Sequence, residues 1–203
     1  MSTNKMVRLA ILMAIIVLMA FTPLGYLIIG PALTITFIMI PVVIGAITLG
    51  PAAGALLGAV FGLTSFARCF GAEPFGMVLL GISPVSTFIT CMVPRVLMGW
   101  LSGLIFKALY KIDKTRLASY AVSCLSGAVL NTVLFMSSLM LLFGNSDYIM
   151  EMRGGVGVLA FVVMMVGING VVEALVCLVA GAAISKALDQ FLPAKAETKS
   201  VKR

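Results

Sequence analysis

The chain has 203 residues, of which 62% are apolar and 10% charged, with a formal net charge of +7; soluble domains run nearer roughly 45–50% and 25%. Histidine is absent, which removes the commonest general base and transition-metal ligand and sets redox and metalloenzyme chemistry aside. The composition excludes an ordinary soluble domain and describes an integral membrane protein: its apolar runs each suffice for about 20 helical residues and lack the alternation of a barrel.

In chain order, Lys5 and Arg8 precede an apolar run from Leu9 to Phe21. That run continues into Thr22-Pro23-Leu24-Gly25 with no small-x-small cleavage site, so it reads as a first membrane helix and not as a secretory leader. Ala10 and Ala14 form a small-residue patch on it. Residues 22–32 are expected to form an apolar loop, and a second helix is expected from about Leu33 to Leu49, broken by Gly50-Pro51. A third, Ala52 to Phe66, carries Gly54, Gly58 and Gly62 in register with Gly50. Glycines at every fourth position make a groove that lets two backbones approach closely in lipid. No lysine follows them, so a phosphate-cradling loop is set aside.

Residues 67–85 form the longest interruption, a candidate lid. The fourth helix is expected from Ser86 to Leu109, with Pro94 inside it, and the fifth from Leu117 to Phe143. A polar loop covers Gly144 to Gly155, and the sixth helix runs from about Val156 to Ser185. The expected fold is therefore all-α: one membrane domain over 1–203, a compact bundle of six transmembrane helices, with flexible cytoplasmic tails at 1–5 and 190–203. Six helices place Lys5, Arg8, Lys107, Lys111, Lys114, Arg116, Lys186, Lys195, Lys199, Lys202 and Arg203 on one side, against Arg68 and Arg153 on the other. The positive-inside rule then puts both termini in the cytoplasm. Basic residues that flank membrane segments also speak against a nucleic-acid partner. The four cysteines form no CxxC or zinc-ligand spacing and read as packing residues; neither metal nor cofactor is expected.

Ionisable groups at membrane depth are costly and are functional candidates by default. At about 1.5 Å per residue, Arg95, Asn131, Glu173 and Asn169 fall roughly 18, 21, 18 and 24 Å from the cytoplasmic ends of their helices. They thus share one layer, with Asn169 and Glu173 on one face. One reading pairs Arg95 with Glu173 and leaves the asparagines to satisfy helix contacts. The other is a polar pocket open to the outer side, in which Arg95 holds an anion or carbonyl, the asparagines exchange hydrogen bonds with amide or hydroxyl groups, and Trp100 or Phe135 lines an apolar wall. No Walker A, GxSxG or paired acidic metal motif occurs, so an enzyme is not expected and any transport needs an outside source of energy.

The runs LTITFIMIPVVIGAITLGPAAGALLGAVFGLTSF and GISPVSTFITCMVPRVLMGWLSGLIF resemble the substrate-binding S components of energy-coupling factor (ECF) vitamin transporters, and among these the pantothenate-type branch most. The resemblance covers nearly the whole chain. It implies a six-helix bundle in the bacterial cell membrane, a vitamin site near the extracellular side, and association with a membrane coupling protein and two cytoplasmic ATPases. It further implies that Ala10 and Ala14 contact the coupling protein, that the pocket uses the last three helices with the loops after helices one and three, and that Arg95, in its PR segment, contacts substrate. Other vitamins (riboflavin, a thiamine precursor, folate) stay open. An autonomous ion-coupled carrier, a membrane enzyme or a structural scaffold are the readings from other classes.

Overall fold

A computed structural model describes residues 3–23, 25–29, 33–111, 117–181 and 183. The basic residues Lys114, Arg116 and those from Lys186 onward, like the expected tail at 190–203, lie outside the described residues. The elements are α1 (Thr3–Ala20), β1 (Tyr26–Ile29), β2 (Leu33–Thr36), α2 (Met39–Leu49), α3 (Pro51–Arg68), α4 (Pro74–Ile82), α5 (Pro84–Leu109), α6 (Leu117–Phe143), α7 (Asp147–Arg153) and α8 (Val158–Val176), followed by a π-helical turn over Cys177–Gly181. Among the described residues, α1, α5 and residues 118–143 of α6 are each long and apolar enough to cross a membrane.

Three expectations need correction. Residues 33–36 are not the first turn of a helix: they pair antiparallel with β1 in the register Tyr26↔Thr36 to Ile29↔Leu33. Leu33-Thr-Ile-Thr is rich in β-branched side chains, whose restricted χ1 favours an extended chain, and α2 begins only at Met39. The interruptions at 67–85 and 144–155 each contain a short helix. Pro74 opens α4 at a position that needs no N–H. The Ser146 hydroxyl caps α7 by accepting from the Ile149 N–H at 3.4 Å, and Gly154 ends it in the left-handed conformation. The last long helix is also not straight, since Gly167 (φ 21°, ψ −125°) interrupts α8 before Glu173.

The turn between α2 and α3 is made by Gly50, whose φ of 102° favours glycine, and by Pro51 at the first helical position. Beyond it the glycines of α3 face α5. A Cβ on Gly54 would overlap the Gly99 carbonyl, one on Gly58 the Arg95 carbonyl, and one on Gly62 would lie 2.9 Å from the Cys91 oxygen. Gly50 has nothing within 4 Å of such a position, so it belongs to the turn and not to the packed groove. Behind this seam, Val42, Val43, Leu57, Phe61 and Met98 form the main core with Ile16 of α1 and Cys124 of α6. A second cluster, Leu79, Leu139, Phe143, Ile149 and Phe161, joins α4, α6, α7 and α8 at the end of the bundle remote from Gly50. Large apolar side chains such as Leu18, Trp100, Leu141 and Leu159 remain exposed, as suits a surface solvated by lipid acyl chains.

Candidate functional site

The site starts from Pro94. A proline inside a helix has no N–H to give to the carbonyl four residues earlier. In α5 that carbonyl belongs to Thr90, and the Arg95 guanidinium fills the vacancy, Nη1 donating to Thr90 O at 2.7 Å. The carbonyl bond fixes one edge of the guanidinium fork, and the group sits over two aromatic rings. The Arg95 Cζ is 4.6 Å from the Phe135 ring centroid and 5.5 Å from that of Phe61. Arg95 is 9% exposed, and its Nε has no hydrogen-bond partner. The Thr90 hydroxyl is likewise buried and unpartnered. Buried polar groups in folded proteins are usually satisfied, so two orphans on neighbouring side chains mark a place for a polar ligand or water.

Thr90 and Arg95 both line a cavity of about 320 Å³, counting the part open to solvent. Ser65 and Cys69 line it from the end of α3 and the turn beyond, Gly76 and Leu79 from α4, Thr87, Thr90 and Arg95 from α5, and Phe135 from α6. Glu73, just before α4, lines it as well. The cavity thus lies at the end of the bundle opposite the Gly50-Pro51 turn, beneath the segment expected to act as a lid.

The other candidates divide. Asn131, 8% exposed, is one turn from Phe135 on the same face of α6, and its Oδ1 is buried without a partner. Glu173 is 9% exposed and does not pair with Arg95: its Oε1 accepts from the Thr36 N–H at 2.7 Å. The pairing reading of these two charges is therefore wrong. The backbone of Asn169 is helical, but its side chain lies outside the described residues. Trp100 is 44% exposed and is absent from this cavity wall, whose apolar residues are Phe75, Leu79 and Phe135. Ala10 and Ala14 are exposed on α1 in one stripe with Met6 and Leu18. The glycine groove adjoins the site, because Gly58 packs on the backbone of Arg95 itself. All four cysteines are buried and none is in a disulfide; Cys69 Sγ donates to Ser65 O at 3.4 Å and Cys177 Sγ to Cys124 O at 3.1 Å.

Ser65, Thr87 and Thr90 escaped the sequence reading, since hydroxyl residues are common in membrane helices. A usable signal was present all the same: Thr90 stands four residues before Pro94, and Thr87, Cys91 and Arg95 recur at helical spacing.

A helical membrane bundle with a polar cavity near one end, and an orphaned guanidinium in its wall, has the form of a solute-binding membrane protein. The family model "ECF transporter, substrate-specific component" matches residues 4–184, and the chain belongs to that family: it is a multi-pass membrane protein of the transporter class. It is 37% identical over 122 residues to the pantothenic acid transporter PanT of Lactococcus lactis subsp. cremoris (strain MG1363), an alignment that spans 55% of this chain and 59% of that protein. It is similar in fold to the solved structure of ThiT from Listeria monocytogenes, with a TM-score of 0.64 and 19% identity over 92% of this chain and 96% of that one.

Proposed function

We infer that the chain captures pantothenate from the outer side of the cell membrane. It delivers the vitamin by associating with a membrane coupling protein and two cytoplasmic ATPases, with both of its own termini in the cytoplasm. The observation that carries the substrate reading is the Arg95 guanidinium, buried on the cavity wall with Nε unpartnered beside the unpartnered Thr90 hydroxyl. A carboxylate is the natural complement of such a fork, and charge-assisted bonds of this kind are the strong ones. Pantothenate offers a carboxylate, an amide and hydroxyls; the hydroxyls of Ser65 and Thr87 on the cavity wall suit the amide and the hydroxyls, and Asn131, one turn from Phe135 but outside that wall, is a further candidate. Phe135 gives the apolar flank, and Asn169 stays a candidate for the same layer. The relative named for pantothenic acid supports the choice of vitamin. On the coupling side, the exposed Ala10–Ala14 stripe leaves room for a partner helix to approach closely.

The test is binding by the purified chain, without ATPases, against a panel of pantothenate, riboflavin, thiamine and folate. Pantothenate alone should bind, and Arg95→Ala should weaken it by roughly a hundredfold, the order of losing a charge-assisted hydrogen-bonded contact from a buried site. Binding of a different vitamin would overturn the substrate assignment.

A further inference from the structure

The β1–β2 hairpin leads directly from α1 into α2, yet an isolated two-stranded hairpin is marginal by itself and needs support from its surroundings. Its base is the pair Tyr26↔Thr36, and each member is held by a different part of the bundle. The Arg68 guanidinium, from the last residue of α3, lies over the Tyr26 ring at 4.0 Å from the centroid, and its Nη1 donates to Ala20 O, the end of α1, at 2.7 Å. On the other side the Glu173 carboxylate of α8 accepts from the Thr36 N–H at 2.7 Å. The next residue, Phe37, donates back to Gly25 O at 2.9 Å, so in the alternating pattern of a strand the Thr36 N–H faces away from β1. An outward N–H on an edge strand requires a partner, and a buried carboxylate supplies a strong one. Arg68 directly precedes Cys69 of the cavity wall, so the base of the hairpin is held at the end of the bundle where the cavity lies.

We propose that Arg68 and Glu173 are positioning residues that clamp the base of this hairpin from opposite sides and thereby set how fast a bound solute leaves. Glu173 then acts through the Thr36 backbone and does not touch the solute. Its role in retention rests on the capture function proposed above, whereas the clamp itself does not.

Two readouts on the full chain separate these. In the ligand-free protein, Glu173→Ala should speed amide exchange at Thr36 roughly tenfold, as loss of a hydrogen bond to a charged group implies, and Glu173→Gln, which keeps a carbonyl acceptor, should restore most of the protection. Glu173→Asp, one methylene shorter, is the second variant should the alanine form not fold, and it should accelerate exchange in the same direction. With pantothenate as the probe, the dissociation rate should rise in Glu173→Ala and in Arg68→Ala, while Glu173→Gln stays near the parent and association rates change little. Parent-like protection of Thr36 in Glu173→Ala or Glu173→Asp would overturn the clamp. So would a Glu173→Gln protein that releases pantothenate as fast as Glu173→Ala while keeping Thr36 protected, because the carboxylate would then contact the solute directly. If no variant or parent binds pantothenate, the functional reading fails, and the exchange measurement still decides the clamp.

Discussion

At the scale of single residues, Pro94, Thr90 and Arg95 behave as one unit. Proline takes a donor from the helix, which frees the Thr90 carbonyl, and that carbonyl holds one edge of the guanidinium fork while Nε stays buried and unpartnered. Pro94→Ala returns an N–H that competes for the same carbonyl. It should therefore raise stability, up to the roughly 3 kcal/mol that an interior proline costs, while weakening solute binding because Arg95 loses its anchor. Thermal unfolding and equilibrium binding on the same sample would reveal the opposed signs. Arg95→Lys should also fail to restore binding: an ammonium lacks the planar fork and the stacking surface offered to Phe135 and Phe61. Parent-like affinity in Arg95→Lys would mean that charge alone suffices.

At the scale of elements, the α3–α5 seam couples packing to the site. A side chain at Gly58 meets the Arg95 backbone, which cannot move as a flexible side chain can. Gly58→Leu should therefore cost at least about 1–3 kcal/mol as an overpacking change, seen as lower folded yield and thermal midpoint. Gly50→Ala meets no neighbour but carries the φ of 102° and ψ of 172°, a region open in practice to glycine alone, and it should cost about 1–3 kcal/mol through backbone strain. These elements differ in how well they could be read from sequence. The groove was legible because its period is regular and its glycines are the only side chains that fit. The hairpin was not: Tyr-Leu-Ile-Ile and Leu-Thr-Ile-Thr are short apolar runs, and in a membrane-like sequence such runs resemble the start of a helix. The break at Gly167 was hidden because an isolated glycine in an apolar helix is ordinary. Arg95, Asn131 and Glu173 stood out by their cost at membrane depth, yet cost does not choose partners. The Thr36 N–H that Glu173 takes is a backbone group belonging to a strand absent from the sequence reading.

At the scale of the whole molecule, the chain is a member of the substrate-specific component family, and its cavity opens at the end away from the Gly50-Pro51 turn. On the proposed orientation, with the Lys- and Arg-rich Gly50 side in the cytoplasm, that cavity faces outward. Capture and delivery should therefore be separable. Purified chain in liposomes should bind pantothenate without accumulating it, and accumulation should need the coupling protein, the two ATPases and ATP. Sustained accumulation by the chain alone would indicate an autonomous carrier. The most direct measurement is the thermal shift of the purified chain and of Arg95→Ala with pantothenate at about 100 times its dissociation constant, where a ligand specific to the folded state adds about 2.7 kcal/mol. The expected result is a clear shift for the parent and none for a folded Arg95→Ala protein. An equal shift in both, or none in the parent while another vitamin stabilises it, would contradict a pantothenate site built on Arg95.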